Sequence, residues 1–302
     1  MKNKKQHYVP QFYLKNFSDQ SQKAVGHFVV DRKKFIEHSP ICNIACENFL
    51  YGQDLNRENF LARQEAKWAI AIRSIIEKQG IENGIYRLDL CLFIAAQICR
   101  TIKIRDEQNE MYRQIREIDE SFVPKNFDPF YFVSDIVPKI TFLISDFEYL
   151  VIVNKTDSPF ITSDNPVIMY NSMLAKNKIR CSYGIGTQGI QIFVPLSSCI
   201  CVCLYDKTVY RSVTDNHRIA IEDAGTVFEI NKLICNNSYN NLFFLPDIAL
   251  KSYIDSLTDF LYPPQSAITT LNDGTNMYLR YKSACIHTEY NLAFLELKGS
   301  PF

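Results

Sequence analysis

The residues best suited to chemistry in this sequence begin with a histidine and a glutamine in one aromatic segment. His7 and Gln11 stand in the run HYVPQFYL, and Phe17 follows shortly after it. Each large aromatic side chain gains roughly 2 to 3 kcal/mol when it leaves water, whereas a terminal segment usually frays. We therefore expect this segment to dock against the body of the protein and to hold His7 and Gln11 in place.

A second candidate group lies in the apolar run CLFIAAQICRTI, residues 91–102. Its polar members are Gln97, Arg100 and Thr101, and offsets of three and four residues place them on one face of a helix. A buried, unpaired guanidinium is costly, so Arg100 needs a carboxylate, a row of carbonyls or an anionic ligand. Arg105, one turn after Thr101, extends the positive surface. A structural arginine–aspartate pair and an anion-facing site both remain open.

A third candidate group is the turn in FITSDNPV, residues 160–167, which joins two apolar strand pieces. Asp164 is the candidate carboxylate for Arg100 or for orienting a histidine. Ser163 would act as a nucleophile only with a base in reach, and the segment supplies none. A local turn made by side-chain hydrogen bonds explains Ser163, Asp164 and Asn165 as well as a functional site does.

The composition excludes several classes of protein. The chain has 302 residues, of which 47% are hydrophobic, so it is not a disordered protein. Thirty-three basic and 33 acidic residues give a net charge of zero, which argues against a globally basic nucleic-acid clamp but leaves a local basic groove open. The start MKNKKQ has no apolar stretch behind it, and no window reaches the roughly 18 apolar residues of a membrane span. We expect a soluble, cytoplasmic protein.

The ten cysteines predict buried, reduced thiols rather than disulfides or a metal site. Cys42 and Cys46 are four residues apart without a matching Cys/His pair, so no zinc site is predicted. Cys199, Cys201 and Cys203 alternate with aliphatic residues, which is typical of a strand covered on both faces. The glycines of 184–189 have dinucleotide-loop spacing, but a strand follows them instead of a helix. No cofactor can be assigned.

The order of predicted elements indicates an α+β fold, in which the N-terminal segment and a helical region pack on a mixed or antiparallel sheet with further C-terminal helices. We expect a single compact domain, 1–302, with an N-terminal segment and hairpin at 1–56, a helical subregion at 57–146 and a sheet-rich subregion with helices at 147–302. Pro138 should start, kink or split the third helix. The individual predictions are a hairpin over 25–36, helices over 58–79, 86–118 and 129–146, strands over 149–153, 160–162, 167–170, 191–194 and 199–205, helical segments over 217–235 and 247–261, and a late strand over 277–281.

Taken in order, HYVPQFYLKNF, FIAAQICRTIKIR, FITSDNPV and IFVPLS resemble the bacterial family named domain of unknown function 4238. The resemblance spans roughly residues 5 to 205, with weaker similarity at 230–232 and 237–239. The combination is specific, although no single piece is. One departure is 102–104, where a proline is expected soon after Arg-Thr. The resemblance implies no settled activity, only that the following residues match the family pattern: His7, Gln11, Gln97, Arg100, Ser163, Asp164 and Pro166.

The first functional hypothesis is a nuclease-like phosphodiester hydrolase that acts as a bacterial defence or toxin effector. His7 would be the general acid or base, Arg100 would hold a phosphate, and Asp164 would fix His7 or a metal ion. The acidic residues Glu47, Glu58 and Glu65 could add to the set, although nothing in the sequence singles them out. The predicted substrate contacts are Gln11, Gln97, Thr101, Arg105, Ser163 and Asn165.

Two other hypotheses use the same cluster without catalysis. In one, the protein is a sensor that recognises an anionic ligand, and the charged residues 105–120 meet a protein partner. In the other, the cluster is a purely structural polar network. The partners expected overall are nucleic acid or another phosphate-bearing ligand, possible protein partners, and no membrane. An open pocket that holds both His7 and Arg100 favours enzyme or sensor over the structural network.

Overall fold

The fold is α+β, as predicted, because most of its long helices lie between residues 55 and 145 and its sheets are mixed or antiparallel. The computed structural model describes residues 5–118, 128–179, 184–259, 261, 267–272, 277–282 and 285–299. Its helices are α1 (Gln11–Leu14), α2 (Leu55–Lys78), α3 (Gly84–Arg100), α4 (Ile102–Ile118), α5 (Pro129–Ser145), α6 (Ser172–Lys176), α7 (Ala224–Asn237) and α8 (Lys251–Thr258). Its strands are β1 (Lys5–His7), β2 (Ala24–Val29), β3 (Lys34–Pro40), β4 (Cys46–Asn48), β5 (Glu148–Asn154), β6 (Thr162–Ser163), β7 (Ile168–Tyr170), β8 (Gln191–Pro195), β9 (Ile200–Tyr205), β10 (Tyr210–Ser212), β11 (Arg218–Ile221), β12 (Asn241–Phe244), β13 (Ala267–Asn272), β14 (Met277–Lys282) and β15 (Leu295–Leu297).

The strands form two larger sheets and several two-stranded pairs. The five-stranded sheet has the order β11-β5-β9-β8-β7, in which β11 pairs parallel with β5 and the other neighbours are antiparallel. The four-stranded sheet has the order β3-β2-β12-β6 and is antiparallel. Near the N-terminus β1 pairs antiparallel with β4, which places His7 opposite Cys46.

Both faces of the five-stranded sheet are buried at its inner strands β8 and β9, which explains their strongly apolar sequences. On β9, Val202 belongs to a core cluster that includes α2, α3 and the N-terminal segment, whereas Cys201 and Cys203 belong to a second cluster with α7, α8 and the four-stranded sheet. The nine cysteines in the described ranges are free thiols, and six of them are buried as predicted, whereas Cys42 and Cys199 are exposed and Cys46 is partly buried.

Two helix predictions are wrong in detail because a local hydrogen bond or a strand pairing overrides the apolar spacing. The predicted helix over 86–118 is two helices, since Thr101 has an extended backbone (ψ 157°) and its hydroxyl accepts a hydrogen bond from the Ile104 N–H at 3.4 Å. The predicted helical segment over 217–235 begins as β11, which pairs with β5, and becomes helical only in α7.

Other element predictions are confirmed with shifted bounds, although the strand predicted over 160–162 begins only at Thr162 and the helical segment predicted over 247–261 is α-helical only in α8. The hairpin is formed by β2 and β3, and α2 begins at the N-cap Asp54, whose side chain accepts a hydrogen bond from the Asn56 N–H at 2.8 Å. Pro138 lies inside α5, so it neither starts nor splits that helix. In the described ranges, none of the helices has the length and apolar character that crossing a membrane requires.

The N-terminal segment docks as its aromatic residues predicted. Val9, Tyr13, Leu14 and Phe17 have no exposed surface. The Tyr13 hydroxyl lies 2.8 Å from Thr162 Oγ1 and donates to the Pro195 carbonyl, so it connects the segment to β6 and β8. Burial raises the pKa of this hydroxyl, which keeps it a donor at neutral pH. Tyr13 thus fixes the N-terminal segment to both the four-stranded and the five-stranded sheet.

Replacing Tyr13 with phenylalanine tests how strongly this hydroxyl holds the segment. The Pro195 carbonyl would lose a donor in a buried place, so Tyr13→Phe should lower the free energy of unfolding by about 1 to 2 kcal/mol in urea denaturation. Tyr131→Phe is the matched control, because Tyr131 is 61% exposed and should change stability by less than about 0.5 kcal/mol. Equal effects of the two variants would contradict the anchoring role.

Candidate functional site

An open cleft lies between the N-terminal segment and α2. Its volume is about 350 Å³, and its polar lining includes His7, Gln11, Tyr51, Glu65 and Arg100. The N-terminal segment supplies His7 from β1 and Gln11 from α1, α2 supplies Glu65, and the last residue of α3 supplies Arg100. Three of the predicted site residues, His7, Gln11 and Arg100, therefore meet at one cleft, although they come from distant parts of the sequence.

Hydrogen bonds fix the orientation of the His7 ring. His7 Nε2 lies 3.2 Å from the Ile41 carbonyl oxygen, and since a carbonyl only accepts, Nε2 carries the proton. Nδ1 is then the acceptor, and Gln11 Nε2 donates to it over 3.4 Å. Burial is the main cause that lowers the pKa of His7, so the imidazole is neutral at pH 7. Gln11 is exposed and its bond is long, so another donor can replace it at Nδ1.

Arg100 makes three contacts that connect separate parts of the chain. Its Nη1 lies 2.8 Å from Glu65 Oε1 in an ion pair, and its Nε donates to the Tyr51 hydroxyl at 3.0 Å. Its Nη2 donates to the backbone carbonyl of His7, not to the imidazole. Burial opposes the charge of this guanidinium, but Tyr51 and Glu65 outweigh burial and raise its pKa. Arg100 is therefore a cation that forms an ion pair with the carboxylate of Glu65.

Glu65 and Tyr51 are the site residues that the sequence did not single out. Glu65 lies within a helix whose exposed face carries ordinary charged residues, so its type alone gives no signal. The available signal is the pattern around it, since Ala62, Ala66 and Ala69 share the cleft face of α2 with Glu65. A helix face of small residues with two carboxylates, Glu58 and Glu65, fits neither a core nor a typical solvated surface.

The predicted contact of Asp164 with Arg100 or His7 is wrong. The Asp164 carboxylate is buried and accepts four hydrogen bonds, from the backbone N–H groups of Tyr239, Asn240 and Asn241 and from the Asn241 side chain, at 2.8 to 2.9 Å. Burial raises the pKa of Asp164, and these donors oppose that rise. The carboxylate is used to fix the turn that precedes β12, so Glu65 takes the place expected for it beside Arg100.

Five other predicted residues lie away from the cleft lining. Thr101 caps α4, and Arg105 forms ion pairs with Glu47 and Asp106. Ser163 and Asn165 make hydrogen bonds within the turn and with the end of α7, so the local-turn explanation of FITSDNPV fits them. Gln97 is buried, and neither of its amide atoms has a hydrogen-bond partner among the described residues. It lies one turn before Arg100, whose longer side chain reaches the cleft.

The groups at the cleft can transfer protons and bind a polar ligand. A neutral imidazole with an acceptor nitrogen can take a proton; the negative charge of Glu65 favours the imidazolium that results, whereas the positive charge of Arg100 opposes it. Within the described ranges, no three His, Cys, Asp or Glu side chains are grouped so that they could hold a metal ion. The side chains of His7 and Glu65 are the groups of the cleft that can exchange protons.

Comparison with known proteins places the chain in a family. A family model described as "Protein of unknown function (DUF4238)" matches residues 5–247. The chain belongs to this family. No curated protein and no solved structure matches the chain. The matched residues include every element that lines the cleft, so in this DUF4238 protein the cleft is part of the family's own domain. The resemblance expected from the four sequence motifs is confirmed, and it extends beyond residue 205.

Removing the charge of Glu65 tests the ion pair with Arg100. Breaking a fully buried pair costs roughly 3 to 5 kcal/mol. Because the Glu65 side chain is 26% exposed, Glu65→Gln should lower the free energy of unfolding by less, about 2 kcal/mol, in urea denaturation. Glu110→Gln, which breaks an exposed pair with Arg113 on α4, is the matched control and should have almost no effect. A loss as small for Glu65→Gln as for the control would show that the pair does not stabilise the fold.

Proposed function

We propose that this DUF4238 protein is a nuclease-like phosphodiester hydrolase whose reaction takes place in the cleft, with His7 as the general base. The observation that carries the proposal is that His7, with a neutral imidazole whose Nδ1 is an acceptor, lines an open cleft together with Arg100 and Glu65. An open cleft favours an enzyme or a sensor over a closed structural network. A neutral imidazole with Nδ1 as an acceptor favours an enzyme over a sensor, because a general base must be able to take a proton.

Each residue of the cleft has its own role in the proposed reaction. A water oxygen attacks the phosphorus and passes its proton to Nδ1 of His7, from which Gln11 has moved away. The bond between phosphorus and the leaving oxygen breaks, and that oxygen takes a proton from solvent. Glu65 stabilises the imidazolium that forms. Arg100 acts as a positioning residue, because it holds Glu65 and the backbone of His7 in place.

The charges of the cleft limit what it can bind. Lys5 and Arg100 are balanced by Glu58 and Glu65, so the cleft is not a strong phosphate trap. A diester with one negative charge per phosphate fits this balance better than a multiply charged monoester. If the diester is in cellular nucleic acid, the activity would harm the cell that makes the protein, which supports a role as a toxin or defence effector.

His7→Gln tests the role of the imidazole directly. Glutamine can still donate to the Ile41 carbonyl but cannot accept a proton, so kcat/KM for hydrolysis should fall roughly 10² to 10⁴-fold. The substrates are bis(p-nitrophenyl) phosphate and labelled RNA and DNA strands, and Tm is measured alongside. His38→Gln, at an exposed histidine outside the cleft, is the control. The proposal fails if wild type hydrolyses none of these diesters, or if both variants retain full activity.

The pH dependence of the rate is a second test of the same base. His7 acts only when neutral, so the rate should fall as pH drops through its pKa. Burial lowers that pKa, so the acidic midpoint of kcat/KM should lie below 6.5, with a plateau at neutral pH. His7→Gln should lose this limb of the profile. A midpoint clearly above 6.5 would show that another group is the base.

A further inference from the structure

The cleft does not end at the residues around His7. A cavity of about 560 Å³ adjoins it at Ala62 and Ala66, and another of about 160 Å³ adjoins it at Phe12 and Ala69. The three cavities follow one face of α2 from Asn56 to Arg73, a distance of about 26 Å at the rise of an α-helix. We call this continuous surface the α2 groove, and His7 lies at its middle.

Both ends of the α2 groove are basic. Arg63 lines one end, and Lys15 and Arg73 line the other, whereas no carboxylate lines either end. All three side chains are exposed, and none takes part in an ion pair of 4 Å or less among the described residues. Because the whole chain has no net charge, the excess of basic over acidic side chains at these two ends is a local feature of the groove. Such an arrangement attracts a ligand with charges repeated along its length.

The remaining lining fits a nucleic-acid strand. Phe12 lies where the central cleft meets the Lys15 end, and its partly exposed ring can stack against a base. Amide side chains at the two ends, Asn56 and Asn59 at one and Asn16 and Gln22 at the other, can bond to phosphates, sugars and base edges. The central cleft has the volume of a pocket for one small-molecule-sized group, so a single strand can enter it and a duplex cannot.

From these observations we infer that the substrate is single-stranded nucleic acid, which lies along the α2 groove. One phosphodiester lies at His7, and phosphates on either side of it lie near Arg63 at one end and near Lys15 and Arg73 at the other. The inference rests on the proposed function, because it assigns the substrate class of the same cleft. The basic ends supply the affinity that the charge-balanced centre lacks. Cleavage should then favour strands long enough to reach both ends over a small diester.

Binding measured as a function of salt tests this inference. A fluorescein-labelled strand of about 12 nucleotides, as RNA or DNA, is titrated with His7→Gln protein, in which turnover is slow. Anisotropy is followed between 50 and 200 mM salt, roughly the range over which phosphate contacts weaken. Adding K15Q, R63Q and R73Q together should weaken binding at least about tenfold and reduce the slope of log K against log salt by about 2, since each contact to a single strand contributes about 0.7.

The control carries the same change of charge elsewhere. R32Q, K34Q and K251Q alter exposed basic residues outside the three cavities and should leave both affinity and slope unchanged. If the triple groove variant unfolds, R63Q and R73Q made singly should each lower the slope by about 0.7. Equal behaviour of groove and control variants, or equally tight binding of duplex, would overturn the inference. Comparison of the RNA and DNA arms identifies the sugar that the groove accepts.

The outcomes separate this inference from the proposed function. Hydrolysis of bis(p-nitrophenyl) phosphate by wild type supports the reaction even when the groove variants bind strands normally, and in that case only the inference fails. Salt-dependent binding that the groove variants abolish, without hydrolysis of any diester, supports the groove and refutes the reaction. Loss of both signals refutes both.

Discussion

The buried guanidinium of Arg100 is the constraint on which the candidate site depends. A charge with a side chain only 1% exposed needs partners, and Arg100 finds them in a helix, in a loop and in the N-terminal segment. Those three contacts determine where the cleft lies. Glu65 lies on the side of α2 that faces the cleft, and Tyr51 also lines the cleft. The hydrogen bond from Arg100 to the His7 carbonyl holds the backbone of His7 beside the cleft.

Two buried charges of opposite sign are stabilised in different ways in this fold. Arg100 is paired with a carboxylate that keeps some contact with water, so the pair remains next to the cleft. Asp164 is surrounded by backbone N–H groups and has no contact with the cleft lining. The first arrangement leaves polar atoms where a ligand can reach them, whereas the second uses every oxygen for the turn. This difference explains why only one of the two conspicuous charged residues belongs to the candidate site.

Several features could be predicted from the sequence because they depend on local chemistry. The aromatic residues near His7 required burial, and the strand that carries Cys201 and Cys203 required cover on both faces. The apolar run before Arg100 required a buried helix with a partner for its charge. Local chemistry also misled, since the apolar spacing through 86–118 concealed the break at Thr101. A single hydroxyl that caps the next helix leaves the periodicity of the neighbouring residues unchanged.

The sequence by itself determined that the N-terminal segment docks, that Arg100 is buried and paired, and that the fold is α+β. These features follow because apolar side chains are costly in water and an unpaired charge is costly in the interior. Only the tertiary structure decided that Glu65, and not Asp164, pairs with Arg100. The sequence does not show which partner a carboxylate has, and either Glu65 or Asp164 could supply the negative charge that Arg100 needs. The difference lies in the backbone N–H groups that surround Asp164, and the strand pairing around β12 places them there.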